Sequence, residues 1–229
     1  CFPAATAEAL AEAGMKGNVS FAMSRFVDSS EDFDFETDEQ CKELRRVKAL
    51  WHGHDDGRIK VDGGIYAEYT SNHQLWEAVA DYCYEEKLGF QLHLANTEEE
   101  AEECLDRTGL SPAELLSCHR VLNVPVSAAG CAALTEEDRA ILGKKKASAV
   151  LTPLANAKAG LSQGDIAPMV KAGINVALGT DGALEAGALD MFGVMRQAAF
   201  SARQSAGKHS NGKPGHCKGS GGIVHSPCI

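Results

Sequence analysis

The chain alternates between short apolar runs, typical of β-strands, and longer segments with the periodicity of amphipathic helices. Six of these runs are rich in β-forming residues, at 18–23, 58–66, 90–95, 124–131, 147–153 and 174–182. They are largely apolar throughout, as expected where both faces of a parallel sheet are buried. Consecutive runs begin a few tens of residues apart, the length of one βα unit. Six such units in a row predict an α/β fold, either a doubly wound sheet or part of a (β/α)8 barrel.

The segments between these runs carry helical patterns. Within residues 72–86, for example, Leu75, Val79 and Cys83 recur at the spacing of one helix face. Ser111 and Glu114 have the spacing of a capping box, and Thr135 caps a further helix. The remaining helices are predicted at 2–13, 40–51, 98–107, 163–172 and 189–202.

The end of the last apolar run favours the barrel over the doubly wound sheet. No run is followed by the GxGxxG phosphate loop that would point to a dinucleotide-binding sheet. Instead Gly179-Thr180-Asp181-Gly182 ends the last strand, which is where barrels place their chemistry. We therefore predict a single barrel domain over residues 1–200.

Composition excludes several classes of protein. With 229 residues, 44% of them hydrophobic, the chain can bury one large core. It has no apolar run of the roughly 18 residues that a membrane span needs. A net charge of −10 argues against nucleic acid or an anionic membrane as the main partner. Eight scattered cysteines without a CxxC pair predict reduced thiols and a cytoplasmic location.

The two ends of the chain differ from its middle. Cys1 stands where an initiator Met is expected, and no signal-peptide pattern follows it, so we expect the natural start to lie upstream. Residues 201–229 contain four basic residues, no acidic residue and no hydrophobic period. This composition predicts an irregular tail. His216, Cys217, His225 and Cys228 in the tail form a weak candidate zinc cluster, without a scaffold to hold them.

Several segments together resemble the amidohydrolase superfamily, in the branch that contains methylthioadenosine/S-adenosylhomocysteine deaminase, guanine deaminase and chlorohydrolase-like proteins. The segments, in order, are GRIKV, AEYTS (Ala67–Ser71), LHLANT (92–97), LTEEDRAIL (134–142), NAKAG, DIAPMVKAGINVALGTDG (165–182) and LDMF (189–192). The resemblance implies an incomplete (β/α)8 TIM-like barrel holding strands three to eight. The family's first strand and its β-sandwich are absent from the match.

The resemblance also implies a function and a site. The family uses zinc or another divalent metal to hydrolyse C–N bonds, as in deamination of a purine-like nitrogen heterocycle. Its ligands are an HxH pair, two further histidines and an aspartate. His93 matches the fifth-strand histidine, and Asp181 matches the aspartate, which serves as both metal ligand and catalytic residue. Glu68, inside AEYTS, is implied as a substrate-binding residue.

Four departures from the family pattern converge on this site. Asn96 replaces a proton-shuttling Glu, Gly130 replaces a ligand His, Tyr66 replaces the His of HAEYT, and Leu151 replaces the His of HNP. We expect deaminase activity near background. Three alternatives therefore stay open: an impaired metal-dependent hydrolase, an inactive remnant that folds or self-associates, and a promiscuous hydrolase with a remodelled cavity.

Other candidate residues have simpler interpretations. His52 and His54 form an HxH pair, but it precedes a strand and is better explained as a solvated turn. His93 could equally be a strand-end core residue, Asp181 could cap its own turn, and Cys131 has no neighbouring base. The expected partners are a small-molecule substrate and a second copy of the chain, since two missing barrel strands leave unpaired edges.

Overall fold

The computed structural model describes residues 2–26 and 32–209. Its centre is one sheet of six parallel strands, in which each strand pairs with the next along the chain. The strands are β1 (Gly17–Ser20), β2 (Ile59–Ala67), β3 (Phe90–Leu94), β4 (Val126–Gly130), β5 (Ser148–Leu151) and β6 (Asn175–Leu178). This sequential order confirms the incomplete barrel and excludes the doubly wound sheet.

Eleven α-helices are described around the sheet in these residues. They are α1 (Pro3–Glu12), α2 (Glu39–Trp51), α3 (His54–Gly57), α4 (His73–Glu86), α5 (Glu98–Thr108), α6 (Pro112–Cys118), α7 (Glu136–Lys144), α8 (Pro153–Ala159), α9 (Ile166–Lys171), α10 (Ala183–Ala186) and α11 (Met191–His209). The predicted helices are present. The short helices α3, α8 and α10 were not predicted.

The register of the strands aligns their carboxyl ends. His93 on β3 pairs with Ala129 on β4, Ala129 with Val150 on β5, and Val150 with Ala177 on β6. These four residues therefore lie at one level of the sheet. The loops that follow β3 to β6 leave from the same edge, hereafter the carboxyl edge.

The core lies between the sheet and the surrounding helices. On α4 the predicted face of Leu75, Val79 and Cys83 is fully buried. It packs so closely on β2 that a Cβ added to Gly63 would lie 2.4 Å from the Cys83 Sγ atom. This contact explains why a glycine interrupts an otherwise β-rich run.

The last helix corrects the predicted tail. Helix α11 continues to His209, so an irregular tail beginning at Ser201 is wrong for residues 201–209. Val194, Ala198 and Ser201 are buried at the spacing of one helix face, which anchors the helix beyond the predicted boundary. Residues 210–229, including His216, Cys217, His225 and Cys228, lie outside the described residues.

The WHGH segment lies at the opposite edge of the sheet from the carboxyl edge. His52 follows α2, and its Nδ1 atom is 3.1 Å from the Val61 carbonyl oxygen. His54 contacts the Trp51 ring, with 4.9 Å between ring centroids. The pair therefore belongs to the turn before β2. Within residues 2–26 and 32–209, no helix is long and apolar enough to cross a membrane.

Candidate functional site

The predicted site residues lie on or just after the carboxyl ends of the strands. His93 is on β3, Glu68 directly follows β2, and Asp181 follows β6. Strands β4 and β5 separate His93 from Asp181. Direct approach of these two side chains stays a prediction. In the described part of the chain, no group of three or more His, Cys, Asp or Glu side chains is arranged to hold a metal ion.

His93 is exposed and uses one ring nitrogen on a backbone carbonyl. Its Nδ1 atom lies 2.9 Å from the Tyr66 carbonyl oxygen. Because a carbonyl can only accept, Nδ1 carries the hydrogen, and the Nε2 atom of the neutral ring is left as an acceptor. The Tyr66 ring contacts the imidazole, with 4.7 Å between centroids, and both side chains are exposed. The residue that replaces a family histidine therefore packs on the retained one.

Asp181 occupies a tight turn in the left-handed region. Its φ is 62°, and its Oδ1 atom accepts a hydrogen bond of 2.8 Å from the Gly182 amide. The side chain is exposed at the carboxyl edge. Oδ1 therefore caps the turn, while the second carboxylate oxygen, Oδ2, stays available to a ligand.

Glu68 is buried, with 4% of its surface exposed. Arg107 on α5 donates through Nη2 to the Glu68 Oε2 atom. Burial, together with the nearby Glu68 carboxylate, raises the pKa of the Cys104 thiol to about 11. A substrate would meet the Glu68 carboxylate only after this ion pair opened, and substrate binding by Glu68 stays a prediction.

Asn96 belongs to an uncharged hydrogen-bond network that was not predicted. The Asn156 Nδ2 group donates to Asn96 Oδ1 at 3.2 Å and to the Ser162 carbonyl at 2.7 Å. Thr152 donates to Asn156 Oδ1 at 3.3 Å, and Asn156 is 4% exposed. Hereafter Asn96, Asn156 and Thr152 are called the amide network. Asn156, at the start of NAKAG, is the residue whose position in the sequence could have indicated this network. Its partner Asn96 lies sixty residues away in the sequence, so no local pattern links the two.

Gly130 packs directly against Asn96. Its φ is 94°, and an added Cβ would lie 2.8 Å from the Asn96 Cβ and 3.2 Å from the Asn96 Cα. A histidine, which needs that Cβ, does not fit here without movement of the backbone. Two family positions have therefore changed together, and each accommodates the other.

Strained backbone marks the same edge. The non-glycine residues Ala95, Cys131 and Asp181 have φ values of 44°, 56° and 62°. They follow or end three different strands. Such conformations cost about 1–3 kcal/mol each and cluster at functional sites. Strain of this kind supports a functional site at the carboxyl edge. It could not be predicted from the sequence, because no residue pattern marks these three positions.

Two nearby groups are uncharged at neutral pH. Burial and, to a smaller degree, Asp138 raise the pKa of the Cys131 thiol to about 12. Burial and the Glu100 carboxylate raise the pKa of the Tyr69 hydroxyl to about 12. Because the thiolate is the reactive form of cysteine, Cys131 does not serve as a nucleophile.

A run of parallel βα units with polar side chains gathered at its carboxyl edge defines the class of (β/α) barrels. The described fold is an incomplete member of that class. The chain belongs to the amidohydrolase family, whose family model matches residues 3–217.

Comparison with individual proteins gives the same family. The chain is 35% identical over 186 residues to a 5-methylthioadenosine/S-adenosylhomocysteine deaminase of Thermoanaerobacter pseudethanolicus, covering 81% of this chain and 42% of the relative. An adenosine deaminase from Xanthomonas campestris with bound zinc matches with a TM-score of 0.80 and 25% identity, over 90% of this chain and 46% of that one. The chain therefore spans less than half the length of these relatives.

A guanine deaminase from C. acetobutylicum, with bound guanine in its active site, shares the fold. The TM-score is 0.78 at 17% identity, over 92% of this chain and 50% of the deaminase.

The zinc bound by the adenosine deaminase from Xanthomonas campestris does not fit the residues that the structure describes. A catalytic zinc normally has three protein ligands. His93 Nε2 and the Asp181 carboxylate are two candidates, while Gly130 has no side chain and Asn96 is an amide engaged by Asn156. The Tyr66 ring also covers one side of the His93 imidazole. Among the described residues, His93 and Asp181 therefore supply only two of the three ligands that a catalytic zinc normally has.

Proposed function

We propose that this chain is a deaminase-type amidohydrolase in which the carboxyl edge binds a purine-like nitrogen heterocycle and family-type turnover is near background. The observation that carries the proposal is the packing of Gly130 on Asn96. At the positions where the family pattern has a ligand and a proton shuttle, the chain has two mutually fitted uncharged residues.

The substrate class is supported by the relatives. Their names include deaminases of adenosine, of S-adenosylhomocysteine and of guanine, and one has guanine in its active site. Exposed aromatic and polar groups at the carboxyl edge, Tyr66 and His93 among them, suit a flat ring with hydrogen-bonding edges.

The low turnover follows from the chemistry of the replaced groups. Deamination adds water to a ring carbon and expels ammonia, so a proton must move from the water to the leaving amine. A positioned acid or base contributes about 10²–10⁴-fold to such a step. The Asn96 amide cannot ionise. His93 Nε2 and the Asp181 carboxylate can hold a proton or orient a polar atom, but neither replaces both missing groups.

The test is ammonia release from a purine panel. The purified 229-residue chain, with zinc added and its metal content measured, is incubated with adenosine, S-adenosylhomocysteine and guanine. We expect release indistinguishable from that of a protein-free sample. A zinc content of about one ion per chain together with turnover normal for an enzyme, roughly 1–10³ s⁻¹, would overturn the proposal.

A binding assay tests whether the carboxyl edge binds a purine-like ligand. His93→Ala and Asp181→Asn should each weaken binding of the best ligand in the panel, while Lys144→Ala on the outer helix α7 should not. Ligand binding that is unaffected by both site variants would place the ligand elsewhere.

A further inference from the structure

A small polar cavity lies between helices α7 and α11 and the segment that joins α8 to α9. Its volume is about 320 Å³, at the small end of the range for ligand-binding cavities. Four polar residues that line it carry the argument: Arg139, Gln163, Asp165 and Ser201. Neither His93, Asp181 nor a member of the amide network lines it, so the cavity is separate from the site at the carboxyl edge.

Arg139 brings to this cavity a positive charge with which no carboxylate pairs. The side chain is half-buried on α7, and its Nη1 group donates to the Leu134 carbonyl at 2.5 Å. In the described part of the chain, the guanidinium forms no ion pair and no other hydrogen bond. Nε and Nη2, which together can hold a carboxylate side by side, are therefore available to a ligand.

Asp165 brings a negative charge to the same cavity. It directly precedes α9, is half-buried, and its carboxylate has no hydrogen-bond or ion-pair partner among the described residues. Arg139 and Asp165 thus line one cavity without pairing with each other. Opposite charges that share a cavity and stay apart suit a ligand that carries both charges itself.

Ser201 adds a buried hydroxyl to the cavity wall. The residue is only 9% exposed, and its hydroxyl has no partner among residues 2–26 and 32–209. Because buried polar side chains normally have a hydrogen-bond partner, an unpartnered hydroxyl at a cavity wall points to a bound group. Gln163 adds a donor: its Oε1 atom accepts from the Gln197 Nε2 group at 2.9 Å, which leaves its own Nε2 group for a ligand.

We propose that this cavity binds a small zwitterion of the α-amino-acid type. The carboxylate of the ligand pairs with Nε and Nη2 of Arg139, and its ammonium group pairs with the Asp165 carboxylate. The Ser201 hydroxyl and the Gln163 amide donate to the remaining oxygen atoms of the ligand. A simple anion such as phosphate fits less well because Asp165 repels it, and Arg139 repels a simple cation in the same way. The inference does not depend on purine binding, which involves other residues.

The experiment is isothermal titration of the full chain with each of the common amino acids in turn. Acetate and methylammonium are titrated as ligands that carry only one of the two charges. We expect at least one amino acid to bind roughly tenfold or more tightly than acetate or methylammonium, because each of these lacks one charged hydrogen-bonding group.

Three variants locate the ligand. Arg139→Gln and Asp165→Asn should each weaken binding of the best amino acid by roughly tenfold or more, the scale of a hydrogen bond to a charged group. Asp165→Asn should also strengthen acetate binding, because it removes the repulsion. Ser201→Ala removes only a hydroxyl from the wall and should weaken amino-acid binding as well. A melting temperature establishes that each variant is folded.

Matched controls make the same changes away from the cavity. Arg46→Gln on α2 and Asp106→Asn on α5 alter exposed residues and should leave the affinity unchanged. Acetate that binds as tightly as the best amino acid would make the cavity a plain anion site and overturn the proposal. Unchanged affinity in Arg139→Gln or Asp165→Asn would place the amino acid elsewhere and overturn it too. Absence of binding by every amino acid would overturn it outright.

Discussion

At the scale of single residues, the site differs from its family pattern by substitutions that fit one another. Gly130 has the left-handed φ that favours glycine. The space that a Cβ would need at this position is occupied by the Asn96 side chain. The sequence indicated both replacements, because each interrupts a recognisable motif. It did not indicate their contact, nor the amide network, because hydrogen bonds between residues tens of positions apart leave no local pattern.

Gly130→Ala should destabilise the fold for two separable reasons. The methyl group must adopt a positive φ, which costs about 1 kcal/mol, and it must also displace Asn96, for a total of roughly 2–4 kcal/mol. Gly160→Ala is the control, since its φ is 74° but nothing lies within 4 Å of the added Cβ. Urea unfolding should show a loss at least twice as large at residue 130, and equal losses would contradict the packing of Gly130 on Asn96.

Buried thiols should make the fold less stable at high pH. Burial raises the pKa of the Cys83 and Cys131 thiols from an ordinary value of about 9 to about 12. Because the folded-state pKa is the higher one, the stabilisation is complete below pH 9 and is lost progressively between pH 9 and 12. At pH 10 the loss is on the order of 1 kcal/mol per thiol. Urea midpoints measured from pH 7.5 to 10 should fall, and should fall less in Cys131→Ala.

At the scale of elements, periodicity predicted most of the fold. The six strands were predictable because burial on both faces demands apolar runs, and α4 because one face must be buried. Loops were harder. The predicted end of α11 fell short of His209, because the glycine-rich, basic composition after residue 201 obscures the helical spacing of Val194, Ala198 and Ser201.

One buried carboxylate joins two helices across a loop. Asp138 on α7 is fully buried and accepts from the Ser111 hydroxyl at 2.6 Å, the Ala113 amide at 3.0 Å and the Thr135 hydroxyl at 2.9 Å. It therefore caps its own helix and also satisfies the first turn of α6. The sequence predicted Thr135 as the cap of this helix but not the bridge from Asp138 to α6.

Asp138→Ala should destabilise the protein by about 3 kcal/mol or more, because several buried donors lose their acceptor at once. Glu137→Ala, at an exposed position of the same helix, should change stability by less than about 0.5 kcal/mol. Thermal unfolding of the two variants measures the difference. A small effect of Asp138→Ala would mean that water replaces the carboxylate.

At the scale of the whole molecule, the sheet has two outer edges. Among the described residues β1 pairs only with β2, and β6 only with β5. Exposed acidic residues Glu8 and Glu12 lie on α1 beside the first edge, and exposed Arg196 and Arg203 lie on α11 beside the second. Phe192, 83% exposed, adds apolar surface to α11. We propose that these oppositely charged faces associate between copies.

Charge reversal tests the association. Arg196→Glu with Arg203→Glu should shift the chain toward monomer in light scattering. Adding Glu8→Arg and Glu12→Arg to the same chain should restore association. Arg46→Glu with Lys144→Glu, on α2 and α7, is the charge-matched control. A wild-type chain that stays monomeric at high concentration would contradict the proposal.

The measurement that tests the central claim most directly is a stoichiometric deamination assay. The chain, in the presence of excess zinc, is mixed with an equal amount of adenosine, and inosine is followed by chromatography. Because Asn96 and Gly130 cannot supply the missing acid–base and ligand groups, we predict that adenosine is recovered unchanged over hours. Conversion to inosine at about 1 s⁻¹ or faster, the ordinary range for an enzyme, would contradict the account.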